Sequence, residues 1–216
     1  MFPLFLDLTG RLVLVVGGGP VGLRKAKAVL SAGGRVRLVC LEPRPPELFC
    51  HDLDWLQEPF HPGHLAGVCL VIAAARPAVN AEVQQHAHAA GLWVNNASDP
   101  DQGDCHLPAV WRSGALTLAV STGGAAPGLA RHLRDVLAQQ VDPLLIRWLD
   151  LLTQLRADVL ARFADEPQRR ELFRGLCDWK WLEQMREEGF EAVESRLRTW
   201  LASQPSRSWS VQDRES

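Results

Sequence analysis

The run Gly17-Gly18-Gly19-Pro20-Val21-Gly22 satisfies G-x-G-x-x-G and stands directly between a strand-like apolar stretch and a helix-like segment. Any chemistry here belongs to the backbone. Gly17 permits a tight turn, Gly19 lets a diphosphate approach the main chain, and Gly22 lets the following helix pack closely, while that helix's N-terminus offers N–H donors and a favourable dipole. Pro20 and Val21 lie in the same cradle. An acid that accepts hydrogen bonds from a ribose normally follows the second strand, about 20 residues on. Glu42, preceded by Leu41, stands twenty residues after Gly22. The acid favours NAD over NADP, and Arg44 two places later tempers that preference by offering a partner to a 2′-phosphate.

A second group of reactive side chains falls between 95 and 108. Asn95-Asn96-Ala97-Ser98-Asp99-Pro100 is a polar loop holding one acid before the proline, and Asp104-Cys105-His106 follows it. The latter triplet has the residue types of a metal or nucleophile site. Adjacent side chains of an extended chain face opposite ways, however, so the triplet is expected to be structural or to face a substrate, with no metal ligated. His86 and His88 fall on different faces of a helix, and with His61 and His64 they are expected to be solvated.

These loops need a scaffold that aims strand ends at one crevice. Residues 12–16, 35–40, 68–74 and 92–96 read as strands, the first a continuous apolar run of the kind buried on both faces. Helices are expected over 20–32 and 77–90, each begun by a proline, and the 52–60 stretch has room for a short strand. Strand and helix alternate through the first hundred residues, which implies right-handed crossovers and a parallel, doubly wound α/β sheet of Rossmann type. One more strand is expected over 115–121 and a helix over 127–140. Beyond residue 143 the apolar positions recur at helical spacing, and five of the eight tryptophans (Trp148, Trp179, Trp181, Trp200, Trp209) gather there, so two or more helices should pack on a partner surface.

Apolar residues make up 47% of the 216-residue chain and charged residues 22%, ordinary usage for a chain that folds in water. A net charge of −2 excludes the global basic field that holds a nucleic-acid backbone. No apolar run reaches the ~20 residues needed to cross a bilayer, and the start lacks a basic leader, which points to the cytoplasm. The five scattered cysteines include no Cys-x-x-Cys pair and are expected to be reduced.

Residues 14–26, preceded by Pro3-Leu4-Phe5-Leu6-Asp7-Leu8, resemble the opening of the precorrin-2 dehydrogenase family, which includes the dehydrogenase-chelatase half of siroheme synthase. Residues 118–131, with Ser121-Thr122-Gly123-Gly124 and the pair Ala130-Arg131, resemble that family's second signature, and 95–108 its active-site loop. The likeness covers about 3–140 in order and spacing. It implies a homodimer in which NAD-dependent oxidation of precorrin-2 yields sirohydrochlorin, and in some members a second activity in which ferrous iron, Fe2+, is a further substrate and siroheme the product. It also implies coenzyme contacts at Pro20, Val21, Leu41 and Glu42. The domains would then be a coenzyme-binding Rossmann domain over 1–113, a dimerisation region over 114–143, a helical domain over 144–203 and a mobile tail over 204–216.

In one place the chain departs from the family. Members carry an aspartate two residues before the Pro100 position, where this chain has Ser98, and its acid stands one place later at Asp99. Asp99 is the candidate base, with Ser98 beside it. The departure weighs more on iron insertion, which needs a group to take pyrrole protons, than on a dehydrogenation in which the coenzyme carries the hydride. A tetrapyrrole with eight carboxylates calls for a locally basic pocket. Thr122, Gly123 and Gly124 could offer amides to a carboxylate, and Arg131, among Arg112, His132 and Arg134, a guanidinium. Two other readings remain open from the sequence: a non-catalytic NAD or redox sensor that dimerises, and a dehydrogenase of another small molecule.

Overall fold

The computed structural model describes residues 1–45 and 50–205. Most of the expected tail, 206–216 with Trp209, lies outside the described residues. The chain divides into two compact units, one of Met1–Pro108 with Ser121–Pro127, the other of Ala109–Val120 with the chain from Gly128 onward.

In the first unit, strands β1 (Leu12–Val16), β2 (Arg35–Cys40), β3 (Leu53–Gln57), β4 (Val68–Ala73) and β5 (Trp93–Asn96) form one sheet in the order β3-β2-β1-β4-β5. Every neighbouring pair is parallel. Helix α1 (Pro20–Leu30) covers one face with Ala26 and Val29, packed over Val13, Val15, Val36 and Leu38. Helix α2 (Pro77–Ala89) covers the other with Val83 and Ala87, packed over Leu14, Val16, Val71 and Val94. Alternate residues of β1 thus enter two cores, which is why that strand is apolar throughout. The strand within 52–60 is β3, at the sheet edge. From β1 the order runs to β2 on one side and β4 on the other, so the carboxyl ends of β1 and β4 flank the crevice where such sheets take ligands.

The second unit corrects the expectation of a single strand after Pro108. Two strands form there, β6 (Ala109–Ser113) and β7 (Leu116–Val120), paired antiparallel in a separate two-stranded sheet. Ser113 pairs with Leu116, so Gly114 and Ala115 make a two-residue turn, with Gly114 at a left-handed φ of 51°. Beyond it come α3 (Pro127–Gln139), α4 (Pro143–Arg162), α5 (Glu166–Leu176), α6 (Lys180–Glu188) and α7 (Phe190–Ala202). The last four bury Trp148, Leu155, Phe163, Leu182 and Leu197 in one core. Among the described residues no helix is long and apolar enough to cross a membrane.

Candidate functional site

Each glycine of the loop between β1 and α1 meets a different constraint. Gly17 has φ 113°, and a Cβ there would lie 2.4 Å from the Ala74 carbonyl oxygen, so the turn touches the end of β4. Its N–H donates to the Val39 carbonyl at 2.8 Å, which ties it to β2 as well. At Gly22 a Cβ would stand 1.9 Å from the Gly17 carbonyl oxygen, because α1 leaves the sheet through that contact. Gly19 faces open space, with nothing within 4 Å of a Cβ placed on it. It is also the N-cap of α1 and contributes no capping side chain, so the first-turn amides lie beside a bare stretch of backbone. These features fit the diphosphate of a dinucleotide.

The acid turn sits alongside. Glu42 is exposed, and its carboxylate lies near Gly18, 3.1 Å from where a Cβ there would be. Two side chains of β3 hold the turn: Trp55 Nε1 donates to the Glu42 carbonyl at 3.2 Å and Gln57 Nε2 to the Leu41 carbonyl at 3.2 Å. Cys40 lies beneath Gly18 and donates to the Glu42 carbonyl at 3.3 Å. Burial pushes its thiol up to about 11. Val21 and Leu41 are exposed apolar side chains flanking this corner.

Twin asparagines at the end of β5 build the neighbouring loop, and because they are adjacent on a strand they serve opposite faces. Asn96, on the α2 side, accepts at Oδ1 from Ser98 N at 3.0 Å, Ser98 Oγ at 3.0 Å and Asp99 N at 3.1 Å, while its Nδ2 donates to Gln84. The Ser98 hydroxyl also accepts from Asn80 Nδ2 at 2.8 Å, and Asn80 Oδ1 in turn accepts from Ala75 N. Its donor is therefore spent on Asn96 and one lone pair on Asn80. Asp99 Oδ2 accepts from Gln102 Nε2 at 2.7 Å. On the α1 side, Asn95 accepts at Oδ1 from Lys25 Nζ at 2.5 Å and donates from Nδ2 to the Cys105 carbonyl at 2.7 Å.

The residues of the Asp104-Cys105-His106 triplet point three ways. Asp104 accepts from His88 Nε2 and Val94 N, both at 2.8 Å. Cys105 packs toward the α1 core, where burial and then the charge of Asp104 raise its thiol. His106 donates to the Pro100 carbonyl at 3.0 Å and stands beside Gly124. The Thr122-Gly123-Gly124 turn, with φ 64° and 89° at its glycines, therefore adjoins the 95–106 loop within the first unit. Arg131 is exposed on α3 and belongs to the second unit.

One expectation about the histidines is corrected, because His64 is buried. It closes the turn Pro62–Leu65 by accepting His61 N at Nδ1 and donating from Nε2 to Glu58 at 2.8 Å. His61 likewise accepts Gly63 N at Nδ1. The ligand-type atoms of Glu58, His61 and His64 lie within 4.8 Å of one another. Both rings, however, use Nδ1 as an acceptor and so carry the proton on Nε2, which makes the trio a hydrogen-bonded clamp.

The profile of an NAD(P)-binding family matches residues 4–109, and that of the sirohaem biosynthesis protein central region matches 113–140. Siroheme synthase 1 of Aeromonas salmonicida (strain A449) is 38% identical over 199 residues, covering 90% of this chain and 42% of that protein. A solved structure described as SirC, precorrin-2 dehydrogenase, superposes with a TM-score of 0.75 at 25% identity, covering 94% of this chain and all of that one. The chain belongs to the precorrin-2 dehydrogenase and siroheme synthase family. Within the family, siroheme synthase of Stutzerimonas stutzeri (strain A1501) is 39% identical over 186 residues, covering 80% of this chain and 39% of its own. The chain spans less than half the length of these two siroheme synthases.

Sequence reasoning overlooks Asn80, Gln84, Trp55 and Gln57, which hold the two loops. The spacing of Trp55 and Gln57 on one face of a strand is a usable signal. Asn80 gives none, because a polar residue at the buried face of a helix reads as a break in the apolar pattern.

Proposed function

We propose that this chain oxidises precorrin-2 to sirohydrochlorin with NAD as coenzyme, in siroheme or cobalamin synthesis. The observation that carries this reading is the bare backbone at Gly19, open at the switch point and in one unit with the loop bearing Asp99. The amides that follow Gly19 at Val21 and Gly22 would hold the diphosphate, Glu42 the ribose, and Val21 and Leu41 would flank the adenosine. Bound there, NAD supplies the hydride acceptor that a two-electron oxidation of the macrocycle requires.

Asp99 is the group we assign to accept the substrate proton. It is the one carboxylate of the Ser98–Asp99 pair, and Gln102 steadies a single oxygen of it, which leaves the other for substrate. Ser98 braces the loop through Asn96 and Asn80, and a hydroxyl is far too weakly acidic to replace a carboxylate as base. We assign Thr122, Gly123 and Gly124 as amide donors to substrate carboxylates and keep Arg131, by its residue type, as a candidate guanidinium donor. Insertion of Fe2+ into the product would rest on Asp99 alone, and we assign it as the weaker activity.

The domain scheme of 1–113, 114–143 and 144–203 goes with a cytoplasmic homodimer. In its support, α3 leaves Leu129, Leu133, Val136 and Leu137 exposed along one stripe, at helical spacing. Anaerobic incubation with precorrin-2 and NAD should produce sirohydrochlorin absorbance. Asp99→Asn should lower kcat by about 10²-fold or more, the usual worth of a general base, with NAD affinity unchanged. Tight NAD binding without turnover of precorrin-2 by the wild type would overturn the dehydrogenase reading and leave a coenzyme sensor.

A further inference from the structure

Lys25 is a half-buried ammonium on α1, and among the described residues no carboxylate pairs with it. Its one hydrogen bond among those described is the 2.5 Å contact to Asn95 Oδ1, across seventy residues of sequence. Burial, with the charge of Arg24 adding to it, holds the ammonium below the ordinary lysine value, while Cys105 acts in the opposite sense. An apolar side chain of similar length would cover the same surface without that desolvation. What the ammonium alone provides is direction.

Lysine carries donors and no acceptor, so it admits only the oxygen end of the Asn95 amide. That choice turns Nδ2 to the Cys105 carbonyl, which it reaches at 2.7 Å. Asn95 is 6% exposed, and a flipped amide would set N–H against ammonium and oxygen against carbonyl, leaving buried polar groups mispaired. The near end of the 97–105 loop is held from the α2 side by Asn96, and the far end, at Cys105, from the α1 side through Asn95. Lys25 is also less than two turns from the cradle at Gly19, on the same helix.

We propose that Lys25 is a positioning residue: by fixing the orientation of the Asn95 amide it holds the far end of the loop carrying Ser98 and Asp99, and thereby ties that loop to the coenzyme helix. The inference rests on the dehydrogenase reading only for its effect on turnover, since the clamp itself is a property of the free chain.

The test is a cycle of Lys25→Met, Asn95→Leu and the double variant, read by amide hydrogen exchange over 97–106, by NAD affinity and by steady-state kinetics. Lys25→Met should speed exchange in that loop about tenfold, lower kcat about tenfold and leave the NAD Kd within about twofold of wild type. The double variant should be no worse than the poorer single, because both break one link. Lys25→Arg, which keeps a donor-only cation, should recover most of kcat and of the protection. A merely structural lysine would instead cost stability with kcat and loop exchange unmoved. That result, additive losses in the double variant, or a loss confined to NAD affinity would each overturn the proposal. If the wild type itself fails to oxidise precorrin-2, the dehydrogenase reading falls while the exchange experiment still decides the clamp, and Asn95→Leu decides it should Lys25→Met fail to fold.

Discussion

A side chain at Gly17 and one at Gly22 would each meet a backbone carbonyl oxygen, at 2.4 Å and 1.9 Å respectively, and Gly17 also has a left-handed φ of 113°. Neither obstacle is the movable end of a side chain, so relief requires the β1 turn itself to shift. Gly17→Ala and Gly22→Ala should therefore cost about 3 kcal/mol or more of stability, read by chemical denaturation. The glycine positions are legible in the sequence because G-x-G-x-x-G between a strand and a helix marks them, although the obstacle at Gly17 is Ala74 at the end of a distant strand. The state of Ser98 is not, since its hydroxyl is claimed by Asn80 on a helix eighteen residues away. His64 escapes a reading of the sequence for a related reason: a lone histidine gives no sign that its ring closes its own turn.

Helix starts and apolar stripes carry the second unit. Asp142 is the N-cap of α4, accepting Leu144 N at 2.8 Å, and it receives Arg186 Nε at 2.8 Å from α6. The Arg186 hydrogen bond first, and the Leu144 amide second, hold its carboxyl below the ordinary value of 3.8. A lowered folded value means that the carboxylate's stabilisation is present above the ordinary value and is lost as pH falls through the lowered one. Asp142→Ala should cost about 1 kcal/mol at neutral pH, and the gap from wild type should shrink below pH 3.8, followed by helical circular dichroism during denaturation. The stripe on α3 carries a second prediction, which rests on the proposed homodimer: Leu133→Asp should turn that dimer into a monomer in sedimentation at micromolar concentration, and a dimer that survives the substitution would remove α3 from its interface. The long apolar periodicity of α4 makes the helical unit readable from the residues alone. Strand β6 is not readable in that way, because its apolar run Ala109-Val110-Trp111 is short and breaks off at Arg112-Ser113, and it gains its strand character from pairing with β7.

The division of labour in the whole chain follows from its topology. Parallel order β3-β2-β1-β4-β5 sends the ends of β1, β2 and β5 to one edge, so the glycine loop, the acid turn and the Asn95–Asp99 segment share a unit although they are far apart in the chain. Alternating strand and helix signals make that architecture visible in the sequence, whereas the long-range side-chain hydrogen bonds that aim its loops leave no such signal. If the glycine loop is the coenzyme cradle, fold and affinity must separate at Gly19, where an added methyl meets nothing within 4 Å of the protein and the backbone φ is −71°. The decisive measurement is calorimetric titration of NAD into the wild type and Gly19→Ala, with thermal unfolding recorded on both. The two proteins should melt within a few degrees of each other while the alanine variant loses at least tenfold in NAD affinity; equal affinities would place the diphosphate elsewhere and contradict the account.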